Sequence, residues 1–156
     1  MDNAVDAARV KEFMAISRLY SDSSIIMHEA IAHKAGLSGA DHKYLGLLMQ
    51  KGKMTAGELS KLSGLTTGAV TGLIDRLEKK KLVQRQLDPE DRRKVIIVPD
   101  MARALKLLTP VFAELQQKTE ALVSSLSKDE LQIIERYFIS AVDIMNEVTN
   151  KLNQNE

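Results

Sequence analysis

Three threonines and two glycines crowd the segment Thr66-Thr-Gly-Ala-Val-Thr-Gly72, so that hydroxyls and methyls sit on almost no bulk. Thr66, Thr67, Gly68 and Thr71 suit a surface pressed against a polyanion: hydroxyls bond phosphate oxygens or base edges, and methyls meet the thymine methyl. A second cluster, Asp91-Arg92-Arg93-Lys94, follows turn-forming Asp88-Pro89. Arg92, Arg93 and Lys94 there could reach a phosphate backbone or a minor groove, with Asp91 bracing one guanidinium across the turn. Arg76 lies between the clusters and has two readings, a phosphate contact or an ion pair with Glu58 or Asp75. Lys79-Lys80-Lys81 reads first as a solvated helix end, where three cations also suit the helix dipole.

Other chemistry is sparse. Glu29 and His33, four residues apart, share a helix face suited to a divalent ion, with His28 and His42 nearby. No histidine follows His42 and no cysteine exists to complete a site, so neither metal nor cofactor is expected. The absence of cysteine also excludes disulfides, thiolate zinc clusters and thiol nucleophiles. No paired carboxylates or Ser-His-Asp set stands at a credible spacing, and no enzyme is expected. Tyr20, His28 and Tyr44 combine aromatic faces with polar tips and are candidates for lining a small-molecule pocket, although core residues with a wet end look the same. Gly64, Gly68 and Gly72 recur every four residues but lack both the Lys-Ser ending of a phosphate loop and an apolar span.

The elements that must position these residues are mostly helical. Leu, Ala, Lys, Glu and Met are plentiful, while 8 Gly and 3 Pro in 156 residues leave few turns for a many-stranded fold. Apolar residues Phe13, Ile16, Leu19, Tyr20, Ile26, Met27, Ala30 and Ile31 recur at helical steps over 10–35. Capping boxes at Ser38-Gly-Ala-Asp41 and Thr55-Ala-Gly-Glu58 start two further helices, closed near Gly52 and Gly64. Thr66 or Thr67 caps a fourth, running to about Lys81, with Val70, Leu73, Ile74 and Leu77 inward. Residues 82–87 and the β-branched run 94–98 form a single hairpin. From Met101 the helix period returns, with Pro110 expected to kink it or start a new segment, and Ser127-Lys-Asp-Glu130 opens a last regular helix. The chain therefore reads as one domain, 1–156, mainly α with one β-hairpin: a winged helix-turn-helix over 39–98, its helix-turn-helix at 55–81 and wing at 83–98, between long helices at 10–35 and 101–153. Those terminal helices are apolar enough to pack together and to form a subunit interface.

Charge placement sharpens this reading. The formal net charge is only +1. Yet Lys51 to Lys94 holds 11 basic and 6 acidic residues, or +5, leaving −4 for the rest. The positive part coincides with the proposed reader, the arrangement phosphate contacts require. The opening MDNAVDAARVKEF carries acids where a secretory signal would be basic, and no apolar run approaches a membrane span, so a soluble cytoplasmic protein is expected.

These residues resemble the MarR family of winged helix-turn-helix bacterial transcription regulators. The resemblance covers most of the chain and is strongest over Gly64-Leu-Thr-Thr-Gly-Ala-Val-Thr-Gly-Leu-Ile-Asp-Arg-Leu-Glu78, which looks like the family's recognition helix. Asp88-Pro-Glu-Asp-Arg-Arg93 looks like its wing, with the Asp-x-Arg signature at Asp91 and Arg93. The resemblance implies a homodimer formed by the terminal helices and binding to double-stranded DNA at a pseudo-palindromic operator. It also implies repression relieved by a small anionic or phenolic effector held between dimer and reader parts. The rival reading is a protein-interaction module that uses the winged domain to hold a partner protein, with incidental DNA affinity.

Overall fold

A computed structural model describes residues 6–153. The elements run α1 (Ala7–Lys34), α2 (Gly39–Lys51), β1 (Met54–Thr55), α3 (Ala56–Ser63), α4 (Thr67–Lys79), β2 (Val83–Leu87), β3 (Val95–Pro99), α5 (Met101–Ser124) and α6 (Lys128–Asn153). The helix boundaries fall within a few residues of those read from the sequence: α2, α3, α4 and α6 begin at caps the sequence marks, whereas α1 and α5 are capped by Asp6 and Asp100, which it does not single out. Ser38 Oγ accepts the Asp41 amide at 3.1 Å. Thr55 and Glu58 form a reciprocal capping box, as do Ser127 and Glu130. Thr66, rather than Thr67, caps α4 through the Ala69 amide.

Helix α4 ends in a Schellman motif. Lys81 adopts a left-handed φ of 59°, its amide bonds Glu78 O at 2.8 Å, and the Leu82 amide reaches back to Leu77 O at 3.0 Å. Leu77 and Leu82 are both buried, closing the motif with an apolar contact.

Two expectations need correction. The hairpin is not alone: the two-residue strand β1 pairs with β3, Met54 opposite Ile97 and Thr55 opposite Ile96, giving an antiparallel sheet of order β1-β3-β2. A strand this short has no periodicity to detect. Pro110 starts no new segment and lies inside a continuous α5. Its missing amide costs a helix bond, but Leu108 on one side is buried and Phe112 on the other packs against the core, which hold the helix together.

The core lies in the reader. Leu45, Leu48, Leu59, Val70, Leu73, Ile74, Leu77 and Ile97 are almost wholly buried, joined by Ala32 at the end of α1 and by Ala104 and Leu108 at the start of α5. This is the face of α4 that the sequence periodicity turns inward. The terminal helices differ: α6 has no buried residue, and in α1 only Ile31 and Ala32 are buried. The two ends touch each other nonetheless. Phe13 meets Tyr137 edge-on at 4.9 Å, and Ser17 Oγ lies 2.8 Å from the Tyr137 hydroxyl.

Candidate nucleic-acid interface and adjoining cavity

The leading turn of α4 is exposed at Thr66, Thr67, Gly68 and Thr71. Thr66 Oγ1 accepts the capping bond from Ala69 at 3.3 Å, which leaves its proton to donate outward. Thr71 is the converse: its hydroxyl donates to Thr67 O at 3.0 Å, leaving lone pairs and a methyl for an incoming group. A Cβ added at Gly72 would meet only the Arg76 guanidinium, at 3.6 Å, so this surface is kept low rather than filled.

The wing tip is a folded turn. Asp88 accepts the Glu90 amide at 2.9 Å, and the strand ends close through Asp88 N to Lys94 O and Lys94 N to Asp91 O, both 2.9 Å. Hydrogen bonding to its neighbours' amides holds the Asp88 carboxyl below the usual range. Asp91 is a brace, but of a different kind from the one expected. Its carboxylate accepts the Arg93 amide at 3.1 Å and lies 3.8 Å from Lys94 Nζ, bracing backbone and ammonium rather than a guanidinium. An Asp bonded to the amide two residues on is a local turn device, satisfied before any long side chain can compete. Among the described residues the guanidinium groups of Arg92 and Arg93 have no acidic partner, and both residues are exposed.

Arg76 pairs with neither Glu58 nor Asp75. Its Nε and Nη2 straddle the Asp41 carboxylate at 3.1 and 2.7 Å, a two-nitrogen fork joining α4 to the start of α2. Glu58 is engaged in its own capping box, whose Thr55 bonds hold its carboxyl below the usual range, and Asp75 bonds Arg85. The Asp41 side chain is only 4% exposed while that of Arg76 is 53% exposed, so the guanidinium closes over the acid and keeps one edge toward solvent.

Behind α4 lies a cavity of about 980 Å³ whose walls come from α1, α2, α4 and α5. His28 and Tyr44 line it as expected. Tyr20 does not. Its ring packs 6.0 Å from Phe138 of α6, two turns of α1 before His28, because α1 is long enough to serve the reader at one end and α6 at the other. His42 and Phe112, which sequence reasoning did not assign to the pocket, complete an aromatic cluster. The His42 ring stacks on Phe112 at 5.8 Å, and His28 stands 5.5 Å from His42 and 6.0 Å from Phe112. Burial, then the neighbouring His28, lower the pKa of His42, against an opposing pull from Glu29. Glu29 abuts Gly39, where any side chain would collide with its carboxylate. His33 is exposed and outside the cavity, and among the described residues no group of three or more His, Asp or Glu is placed to hold a metal ion.

A trihelical reader carrying a three-stranded wing, with a small polar helix face and a basic turn, defines the winged helix-turn-helix class of transcription regulators. Within that class the chain belongs to the MarR family, whose family model matches residues 37–95. It is 39% identical over 144 residues to the uncharacterized HTH-type transcriptional regulator YcgE of Bacillus subtilis (strain 168), covering 92% of this chain and 93% of that one. The fold is similar to that of a MarR family protein from Bacillus stearothermophilus, with a TM-score of 0.73, 23% identity and coverage of 92% of this chain and 99% of that one. A point mutant of S. aureus MepR bound to an oligodeoxyribonucleotide shares the fold at a TM-score of 0.53, with 23% identity and coverage of 83% and 97%.

Proposed function

We propose that the protein is a homodimeric, sequence-specific DNA-binding repressor that is released by a small effector. The observation that carries this reading is the pair of guanidinium groups at Arg92 and Arg93, without an acidic partner among the described residues, beside a low, hydroxyl-bearing helix face in a segment of charge +5. Helix α4 enters a major groove through Thr66, Thr67, Gly68 and Thr71, while Arg92, Arg93 and Lys94 hold the flanking backbone or minor groove. The MepR relative solved with an oligodeoxyribonucleotide supports the same use of the fold. Arg76, tied to Asp41, offers phosphate only its free edge.

Pairing of two copies is supported by surface area. The chain exposes 12251 Å², against roughly 7,800 Å² expected for a compact monomer of 17.3 kDa. Large apolar side chains on α1 and α6, among them Leu19, Ile26, Ile139 and Ile144, are more than half exposed. Two-fold pairing through those faces sets two α4 helices on one duplex, with half-site centres about 34 Å apart. The cavity between α1, α5 and the reader is where a small anionic or phenolic effector would favour a dimer with the wrong reader spacing, lowering affinity without touching DNA. Its size falls within the usual range for small-molecule sites.

The test is selection of bound duplexes from a random pool, then titration of the winner and a scrambled control at two salt concentrations, with and without benzoate or phenol. A palindromic winner bound far more tightly than the control, with steep salt dependence, is the expected result. Equal weak binding to both would instead support the protein-interaction module. Arg93→Ala is expected to weaken DNA binding by about tenfold or more with an unchanged melting temperature; near-normal affinity would remove the wing from the mechanism.

A further inference from the structure

Of β2, only Val83 is buried; Gln84 to Leu87 are exposed, and β2 is an edge strand whose outer side faces α4 rather than another strand. The wing therefore leaves the core with little apolar anchorage on this side. Beyond its antiparallel ladder with β3, which runs the length of the strand, β2 is tied to α4 by Arg85. Its guanidinium forks over two carboxylates one turn apart on α4, donating to Asp75 Oδ1 at 2.6 Å and to Glu78, while its backbone amide donates to Glu78 Oε1 at 3.0 Å. The Arg85 side chain is one-third exposed and in register with the buried Ile97 of β3. Asp75 and Glu78 are acids on the very helix whose leading turn faces the groove, where unpaired carboxylates would repel phosphate.

We infer that Arg85 is a positioning residue for DNA reading: it clamps Asp75 and Glu78, fixes the wing relative to the recognition helix, and does not itself touch DNA. This rests on the DNA-binding reading above. Two functions follow from one side chain: the fork offsets one of the two negative charges in the field of the reader, leaving the cluster at −1, and it ties the wing to the helix as one footprint. Position, more than charge, is the stronger effect: a wing freed from α4 must be ordered again at each binding event, although Arg92 and Arg93 still reach phosphate once bound, so affinity falls while the number of phosphate contacts stays the same.

The experiment compares Arg85→Ala and the double variant Asp75→Asn/Glu78→Gln with the unmodified chain, using affinity for the selected duplex across a salt series. A spin label on Glu90→Cys, the only thiol in an otherwise cysteine-free protein, reports wing mobility without DNA. The clamp predicts that Arg85→Ala lowers affinity about five- to tenfold with an unchanged slope of log affinity against log salt, and that the label becomes more mobile. The double variant, despite two fewer negative charges, is expected to lose affinity as well and to free the label. The inference is overturned by tighter binding of the double variant, by an unmoved label, or by a salt slope that falls by about 0.9 in Arg85→Ala, the mark of a lost phosphate contact. If Arg85→Ala does not fold, the double variant decides alone. If the unmodified chain shows no salt-dependent duplex binding, the DNA reading fails, and the label still decides whether the clamp holds the wing.

Discussion

At Lys81 a side chain occupies a backbone conformation that glycine adopts more freely. The left-handed φ of 59° is required by the Schellman bonds that end α4, and a Cβ there costs about 1 kcal/mol. Lys81→Gly is therefore expected to raise stability by about 1 kcal/mol in urea titrations, while weakening DNA binding slightly if the ammonium contributes to the positive field. His42 supplies a second prediction at this scale. Its pKa in the folded chain lies below the ordinary 6.5, chiefly from burial. Protons then bind the unfolded chain more readily, so this contribution to stability is complete above 6.5 and is lost as pH falls through the lower folded value. His42→Phe preserves the stack on Phe112 and should flatten that part of the stability profile between pH 7.5 and 5; a profile as steep as before would place the titrating group elsewhere.

Element boundaries were legible where their signals are local. The boxes at Thr55-Glu58 and Ser127-Glu130 span four residues each, and the inward stripe Val70, Leu73, Ile74, Leu77 follows from helix geometry alone. Thr55→Ala removes one such device, including the bond from the Glu58 amide at 3.1 Å, and is expected to cost about 1 kcal/mol in a thermal melt. A loss below a few tenths would mean that the pairing of Thr55 with Ile96 carries that turn instead. What the sequence conceals is partnership over distance. Arg76 and Asp41 are 35 residues apart, and nothing in the local spacing distinguishes Asp41 from Glu58 or Asp75 as a partner. Tyr20 lies away from its expected place for a related reason: the helical period fixes the face a residue shares, not which neighbour a 28-residue helix meets at each level. The role of Arg85 is equally hidden, because its two acids lie on a different element and in the sequence it is only one cation among eleven between Lys51 and Lys94.

For the whole molecule, the division of labour follows from where apolar residues are satisfied. The reader closes its own core, whereas α1 and α6 leave long side chains in water along most of their length. The exposed area beyond that of a compact monomer, on the order of 4,000 Å², is ample for a stable interface. Leu19→Asp together with Ile144→Asp is expected to shift the sedimenting species from two copies to one and to weaken operator binding, since half-sites would no longer be bound as a linked pair. Sedimentation unchanged by both charges would move the pairing surface off these helices. No helix among the described residues is long and apolar enough to cross a membrane.

The contact of Phe13 and Tyr20 with Tyr137 and Phe138 has a genetic consequence. If two copies pair through a face assembled from α1 and α6, that face is complete only once α6 has been translated, and partners would then be drawn from a common pool of released polypeptides. Two alleles in one cell would mix. A copy with Arg92 and Arg93 replaced by Ala keeps its terminal helices intact and would sequester wild-type chains in hybrids with one working reader, making the defect dominant; the same allele carrying Leu19→Asp/Ile144→Asp would be recessive.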